Sequence, residues 1–281
     1  MVEDTVTHAK GRVRLPGMRR LFPVTDQTAT AEEWSLDELA DAYAYPSFSD
    51  FSEKSGVWLR ANMVSTLDGA GQHDGRSRPI SGPADLRIFG TLRGLADVVV
   101  VGAQTVRQEG YRPAVAREAF AARRAAAGQS PAPAVAVVSA SLDLDFTLPL
   151  FTSPLVPTLV LTGAGADPVR VAEARKAGAE VLVAGDGVGV DPARVPAVLG
   201  EQGFVRLLTE GGPRLLGQFV AAGVLDELCL ALSPMLAAGG AQRITDGPPV
   251  EVPRRFALTS LLEEDGFLFG RYQRGERGSG T

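Results

Sequence analysis

The sequence contains very few of the residues that support disulfide, metal or covalent chemistry. Its 281 residues include one cysteine, Cys229, and two histidines, His8 and His73. A single cysteine excludes an intramolecular disulfide, and its place in the apolar run LCLAL favours a buried core thiol over a nucleophile. Neither histidine has a cysteine or histidine partner at a metal-ligand spacing, so no metal site is expected. A Ser-His-Asp hydrolase is also disfavoured, because no G-x-S-x-G sequence occurs.

Long apolar runs and an excess of basic charge are also lacking. No run reaches the roughly 20 residues that a membrane helix needs, and the opening MVEDTVTHAKGRVRLPG has no apolar core of a secretory signal. The formal net charge of −5 argues against a dedicated nucleic-acid-binding protein. We therefore expect a cytoplasmic protein that binds neither nucleic acid nor a membrane.

Apolar strands alternate with helical segments through most of the chain. The β-branched run DVVVVG (97–102) is typical of a strand that is covered on both faces. The segment SGPADLRIFGTLRGLA (81–96) predicts a helix with Ser81 as its N-cap. Residues 255–274 predict two strands joined by a Glu-Asp-Gly turn. This pattern predicts an α/β fold with a mostly parallel central sheet, helices on both faces and a C-terminal antiparallel hairpin.

The distribution of these segments predicts one domain from residue 56 to residue 274, without an internal linker or repeat. Residues 1–55 are predicted to be a partly disordered N-terminal extension. Within it, WSLDELADAYAY (34–45) predicts a short helix that Ser35 caps, with Glu38 three residues later. The tail 275–281 is predicted to be disordered.

The stretch LLTEGGPRLLGQFV (207–220) ends a buried strand with two glycines and starts a helix at once. Gly211 or Gly212 is required if the turn needs a positive φ. Alternatively, the glycines allow a phosphate group to approach the free N–H groups at the start of the helix. A second apolar strand ends at Gly102, shortly before Thr105. If the two strands are neighbours, this pair of junctions favours a bound dinucleotide.

The polar segment STLDGAGQHDGRSRPISG (65–82) predicts a loop between a strand and a helix. Asp68 and Gly69 most simply form an Asx-type turn, although the carboxylate of Asp68 could also orient a polar heterocycle. Ser77 and Arg93 could bind an anion, because a guanidinium group can pair with phosphate through two parallel hydrogen bonds. Arg93 is equally compatible with the solvated face of a helix.

Three segments together carry a resemblance to a known family: ANMVSTLDG, PISGPADLRIFGTLRGLADVVVVGAQTV and LLTEGGPRLLGQF. From residue 57 to about residue 235, the chain resembles the reductase domain of riboflavin biosynthesis, which has a dihydrofolate-reductase-like fold. In bifunctional enzymes this domain is fused to a pyrimidine deaminase. The H-x-E and P-C-x-x-C motifs of that deaminase are absent, so the resemblance implies only the reduction.

The resemblance implies an NADPH-dependent reductase of the 5-amino-6-(5-phosphoribosylamino)uracil reductase type. Hydride transfer to C1′ would convert the ribosylamino side chain of a phosphorylated pyrimidine to ribitylamino. Asp68 and Glu210 are the expected catalytic residues, which would hold the edges of the pyrimidine. The remaining substrate contacts are expected at Ser77, Arg93 and Arg112, with Glu210 counted among them. The cofactor contacts are expected at Val64, Thr105, Glu109, Gly211, Gly212, Pro213, Arg214 and Leu215.

The family resemblance also implies a homodimer, for which the strand around Cys229 and the final hairpin would supply a surface. Two positions depart from the family pattern: Glu109-Gly110-Tyr111 replaces an Asp-Asp-Pro run, and Pro79 replaces a common tryptophan. The identity of the substrate therefore stays open. One alternative is a dihydrofolate or pteridine reductase, which would not depend on a substrate phosphate. Another is a non-catalytic protein that binds NADPH without turnover.

Overall fold

The computed structural model describes residues 17–24, 34–47 and 56–275, in which ten strands form one sheet. The strands are β1 (Arg19–Phe22), β2 (Trp58–Thr66), β3 (Val98–Gly102), β4 (Ala134–Val138), β5 (Leu159–Thr162), β6 (Glu180–Val183), β7 (Arg206–Thr209), β8 (Glu227–Ser233), β9 (Phe256–Glu264) and β10 (Phe267–Arg274). Their order across the sheet is β1-β9-β10-β8-β2-β7-β3-β4-β5-β6.

The sheet is parallel from β8 to β6 and antiparallel at the other edge. β3 pairs in parallel with both β7 and β4, and its four valines are buried, as its β-branched sequence predicts. β9 and β10 form an antiparallel hairpin, whose two loop residues, Asp265 and Gly266, have φ angles of 51° and 81°. Asp-Gly suits such a two-residue loop, because both positions need positive φ. The predicted mostly parallel α/β sheet with a C-terminal hairpin is confirmed.

Helices cover both faces of this sheet, as predicted. They are α1 (Leu36–Ala42), α2 (Pro83–Leu95), α3 (Ala103–Glu109), α4 (Glu118–Ala126), α5 (Pro149–Thr152), α6 (Pro168–Lys176), α7 (Val195–Glu201) and α8 (Pro213–Ala222). On one face, Leu39, Leu92 and Phe120 of α1, α2 and α4 share a core. On the other face, Leu199 of α7 and Phe219 of α8 share a second core.

None of the helices in the described ranges is long and apolar enough to span a membrane.

The starts of two helices test the predicted caps. In α1, the Ser35 hydroxyl accepts a hydrogen bond from the Glu38 N–H at 3.2 Å, and the Glu38 carboxylate accepts one from the Ser35 N–H at 2.8 Å. This capping box confirms the predicted helix start. The predicted N-cap of α2 is wrong by one residue, because Gly82 occupies that position without a side-chain cap. The hydroxyl of Ser81 instead donates to the carboxylate of Asp85.

Two segments near the N-terminus lie against the sheet. β1 pairs antiparallel with β9, and α1 contributes Leu39 to the core. Two arginines of the sheet bind the chain that follows α1: Arg60 donates to the Tyr43 carbonyl at 2.7 Å, and Arg271 donates to the Ala42 carbonyl at 2.7 Å. Of the segments predicted to be disordered, residues 1–16 of the N-terminal extension and residues 276–281 of the tail lie outside the described residues.

A buried charge network joins β2, β8 and β10. The carboxylate of Glu227 lies 2.9 Å from Nε of Arg60 and 2.6 Å from Nε of Arg271, and it accepts a hydrogen bond from the Trp58 indole at 3.0 Å. Burial by itself raises the pKa of Glu227, but the two guanidinium groups outweigh it and lower that pKa to about 2. Cys229 lies beside this network and is 2% exposed, so the predicted buried thiol is confirmed.

Candidate active site

The ends of β3 and β7 lie next to each other at the carboxyl edge of the parallel strands. The strands are direct neighbours, and the N–H of Gly102 donates to the carbonyl of Gly211 at 2.8 Å. The condition stated for the two glycine junctions, that their strands are neighbours, is therefore met, and the junctions lie together. In open α/β sheets this edge is where ligands bind.

The turn from β7 to α8 needs both of its glycines, for different reasons. Gly211 has a φ of +82°, a conformation that side chains other than glycine rarely adopt. Gly212 has an ordinary φ of −67°, but a Cβ there would lie 2.6 Å from the Oγ1 of Thr105. No side chain caps α8, and Pro213 stands at its first position. The N–H groups of its first turn are therefore available to an anion, at the positive end of the helix dipole.

A cavity of about 260 Å³ opens beside this turn. Its lining combines residues from β2, the loop 67–82, α2, α3 and the β7–α8 turn. Seven of the residues that the sequence predicted for the site line it: Val64, Ser77, Thr105, Glu109, Glu210, Gly212 and Pro213. Residues of the predicted cofactor set and of the predicted substrate set thus surround the same space.

Glu210 lies in this lining and is held by two neighbours. Its two carboxylate oxygens pair with Nε and an Nη of Arg93 at 2.6 and 2.7 Å, and the Tyr111 hydroxyl donates to the same carboxylate. The side chain of Glu210 is 5% exposed and that of Arg93 is 28% exposed. Burial lowers the pKa of Arg93, but the charge of Glu210 raises it above its usual value. Arg93 neutralises Glu210 from outside the cavity lining.

Ser77 and Glu109 meet across the mouth of the cavity. The Glu109 carboxylate accepts hydrogen bonds from the Ser77 N–H at 3.2 Å and from its hydroxyl at 3.3 Å. This contact joins the loop after β2 to the end of α3. The two residues, which the sequence placed in different binding sites, therefore form one rim.

Asp68 lies outside the cavity lining, in the exposed turn after β2. Its carboxylate accepts hydrogen bonds from the Ala237 N–H at 3.1 Å, the Ala238 N–H at 2.6 Å and the Thr66 hydroxyl. The Thr66 hydroxyl and the two backbone donors lower the pKa of Asp68 to about 2. These contacts tie the loop after β8 to the turn after β2.

Four further predicted residues lie near the site without lining it. Gly211 is buried in the turn, and Leu215 is 5% exposed within the core under α8. Arg214 is exposed, with its Nε 3.9 Å from the Asp246 carboxylate. Arg112 is exposed after the end of α3.

Two charged residues of the cavity lining, Asp85 and Arg78, were not predicted from the sequence. Asp85, in the first turn of α2, is 6% exposed, and burial raises its pKa above the usual range. Its spacing from Ile88 and Leu92 puts it in the buried stripe of the helix, which is the signal that could have identified it. Arg78 is exposed and is the basic side chain that lines the cavity within the described residues. In the sequence, nothing distinguishes it from its neighbour Arg76.

Comparison with known proteins identifies the family. The RibD C-terminal domain family matches residues 57–265. The chain belongs to this family. The resemblance seen in the sequence is thereby confirmed, together with the reductase class that it implied.

Two archaeal relatives carry the name 2,5-diamino-6-ribosylamino-4(3H)-pyrimidinone 5′-phosphate reductase. The protein from Methanothermobacter thermautotrophicus is 34% identical over 191 residues, which cover 68% of this chain and 84% of the relative. The protein from Archaeoglobus fulgidus is 29% identical over 183 residues, which cover 65% of this chain and 82% of the relative.

Two solved structures share the fold. A pyrimidine reductase-like protein from Corynebacterium diphtheriae superposes with a TM-score of 0.72 at 24% identity, over 85% of this chain and 98% of the other. RibD from Acinetobacter baumannii superposes with a TM-score of 0.60 at 19% identity, over 78% of this chain and 58% of the other. The predicted fold class is therefore confirmed.

Proposed function

We propose that this RibD-family protein is an NADPH-dependent reductase of riboflavin biosynthesis, which reduces the ribosylamino side chain of a phosphorylated pyrimidine. One observation carries the proposal: a single cavity is lined both by an uncapped helix N-terminus, at Gly212 and Pro213, and by carboxyl groups, including that of Glu210. The first feature suits a phosphorylated cofactor, and the second suits the N–H groups of a pyrimidine. The names of the archaeal relatives agree with this substrate class.

The start of α8 has the chemistry that the phosphates of NADPH require. The backbone N–H groups of Arg214 and Leu215 have no acceptor within the helix, because they lie in its first turn. Gly212 leaves this backbone open, and the exposed side chain of Arg214 adds a positive charge nearby. Thr105 lies across the turn, where its hydroxyl can donate to the cofactor. We therefore propose that these residues bind the cofactor, with Val64 and Glu109 near its nicotinamide end.

NADPH would supply a hydride to C1′ of the ring-opened ribose imine, and the imine nitrogen would take up a proton. The protein then has to position the substrate, balance its charge and exclude water. Glu210 is proposed to face the substrate, with Arg93 and Tyr111 fixing the direction of its carboxylate. Arg93 acts through Glu210 in this proposal. Asp68, proposed from the sequence for the same ring, holds the adjoining loop through the Ala237 and Ala238 N–H groups.

The 5′-phosphate is proposed to bind at the mouth of the cavity, near Ser77 and Arg78. We expect Arg78→Ala to raise KM for the phosphorylated substrate about 10- to 150-fold, because a hydrogen bond to a charged group contributes about 1.5–3 kcal/mol. KM for the unphosphorylated ribosylamino-pyrimidine should not change. Steady-state kinetics with both substrates measure this difference.

Arg112→Ala is the matched control, because Arg112 is also exposed but lies outside the cavity lining. A smaller effect on KM is expected there. If Arg112→Ala raises KM more than Arg78→Ala does, the phosphate binds at Arg112, as the sequence analysis predicted.

The activity itself is tested by following NADPH oxidation at the nicotinamide absorbance band. The ribosylamino-pyrimidine phosphate and dihydrofolate are offered in parallel to the wild-type protein. We expect turnover of the phosphorylated pyrimidine. Preference for dihydrofolate would make the protein a pteridine reductase, and binding of NADPH without any turnover would make it a nucleotide-binding protein.

We also propose that the protein forms a homodimer and acts in the cytoplasm. Alternate residues of β8 and β10 support the dimer: Leu228, Leu230, Leu232 and Leu268 are half-buried on the face of the sheet opposite Cys229. A second copy of the chain would complete their burial. Sedimentation equilibrium should give twice the mass of one chain, and the mass of a single chain would exclude the dimer.

A further inference from the structure

Asp85 is a buried acid that faces the cavity without a cationic partner. Its Oδ2 accepts a hydrogen bond from the Ser81 hydroxyl at 2.5 Å. Within the described residues, neither an arginine nor a lysine lies in salt-bridge distance of it, and its Oδ1 accepts no hydrogen bond from the protein. Glu210 in the cavity lining and the buried acids Asp226 and Glu227 are each paired with arginine. The carboxylate of Asp85 can therefore accept further hydrogen bonds from a ligand in the cavity.

The surroundings of Asp85 restrict what that ligand can be. The cavity wall beside it includes Val64, Leu86 and Phe89, which are apolar. A carboxylate on such a wall costs free energy unless hydrogen-bond donors compensate its loss of water. The burial that raises the pKa of Asp85 reflects the same cost. A flat ring can pack its face against the apolar wall. Two adjacent N–H donors on one edge of that ring can compensate the carboxylate for its lost water.

The edges of the two pyrimidines that the reaction class allows differ at one group. A 2-amino-4-oxopyrimidine presents its ring N3–H and its 2-amino group side by side, so a carboxylate can accept from both. A uracil has a carbonyl oxygen in place of the 2-amino group. That oxygen would face the carboxylate of Asp85, and neither group could donate a hydrogen bond to the other.

We propose that Asp85 selects a substrate with a 2-amino-4-oxopyrimidine ring and rejects the corresponding uracil. This inference rests on the proposed function and adds the choice of ring to it. The reduction then precedes removal of the ring amino group, and a hydrolytic deamination must act on the product.

The test compares kcat/KM for the 2,5-diamino-pyrimidinone and the 5-amino-uracil, each with the same ribosylamino 5′-phosphate. The wild-type protein should prefer the diamino substrate by about 100-fold or more, because a buried polar group left unpaired is strongly disfavoured. Asp85→Asn should reverse this preference, since an amide can accept from N3–H and donate to the uracil carbonyl. Asp85→Ala should lower kcat/KM for the diamino substrate without any gain for the uracil.

Two controls separate ring selection from misfolding and from the sequence-based alternative. Fluorescence titration should give the same Kd for NADPH in Asp85→Asn and in the wild type, which shows that the cavity is intact. Asp68→Asn should leave the ratio of the two kcat/KM values unchanged. If Asp68→Asn reverses the preference instead, the ring contacts Asp68 and the inference is wrong.

The outcomes also distinguish this inference from the proposed function. Equal use of the two rings by the wild type, or a preference for the uracil, overturns the role of Asp85 and leaves the reductase function standing. Absence of turnover with both rings, while NADPH still binds, overturns the proposed function and the inference with it. A preference that Asp85→Asn reverses supports both.

Discussion

Replacement of Glu227 by alanine is expected to lower the free energy of unfolding by about 3–5 kcal/mol, because removing one partner of a buried ion pair leaves an uncompensated charge. Removal of Glu227 would leave two positive charges without their partner. The guanidinium group of Arg60 is fully buried, and that of Arg271 is 13% exposed. Equilibrium unfolding in urea, followed by circular dichroism, measures the change.

A surface ion pair provides the control for Glu227. Glu173 pairs with Arg170 on α6, and its side chain is 47% exposed. Glu173→Ala should therefore change the free energy of unfolding by less than about 1 kcal/mol. A similarly small change for Glu227→Ala would mean that Arg60 and Arg271 find other acceptors or water.

The pH dependence of stability provides a second measurement on the same carboxylate. The folded-state pKa of Glu227 is about 2, below its ordinary value of 4.5. A lowered folded-state pKa contributes stability that is present above the unfolded-state pKa and is lost as the pH falls through the folded-state pKa. The wild type should therefore lose stability from Glu227 between about pH 4.5 and pH 2, and Glu227→Ala should lack this component.

Replacement of Gly212 by alanine is expected to weaken NADPH binding about 100-fold, since displacements of about 1 Å in a ligand site cost factors of this size. The new Cβ would lie 2.6 Å from the Oγ1 of Thr105, so the turn or Thr105 must move. It would also cover the backbone that the cofactor phosphates are proposed to approach. Fluorescence titration of the protein with NADPH measures the Kd.

Two further variants identify the cause of the Gly212 effect. Gly189→Ala is the matched control, because a Cβ there meets nothing within 4 Å, and its Kd for NADPH should equal that of the wild type. The double variant Gly212→Ala/Thr105→Ala removes the internal contact. Because Thr105 is itself a proposed cofactor contact, the double variant is compared with Thr105→Ala alone. Weaker binding in the double variant than in Thr105→Ala supports obstruction of the cofactor, whereas equal binding would mean that the clash with Thr105 caused the loss.

Most of the strands and helices could be predicted from the sequence because their signals are local. The four valines of β3, the Asp-Gly loop of the hairpin and the capping box of α1 each depend on residues close in sequence. The N-cap of α2 was misplaced by one residue because Ser81, Gly82 and Pro83 all suit the start of a helix. In the structure, the hydroxyl of Ser81 donates a hydrogen bond to the carboxylate of Asp85 instead of capping the helix.

The partners of the charged residues could not be predicted, because they depend on contacts between distant elements. Arg93 and Glu210 are 117 positions apart and pair only because α2 packs beside the end of β7. Arg60 lies in strand β2, and its partner Glu227 lies on the neighbouring strand β8. Asp68, which the sequence suggested as a ring ligand, accepts hydrogen bonds from the N–H groups of the loop 237–238, a contact that no local pattern indicates.

The sequence by itself determined the α/β class, the family and the glycine turn at Gly211 and Gly212, because periodicity and short motifs act within a few residues. Only the tertiary structure decided which partners each acid near the cavity has. Burial, charge pairing and the supply of backbone donors are set by strand order and helix packing. These leave Glu210 paired, Asp68 bound to a loop, and Asp85 facing the cavity with an oxygen that the protein does not use.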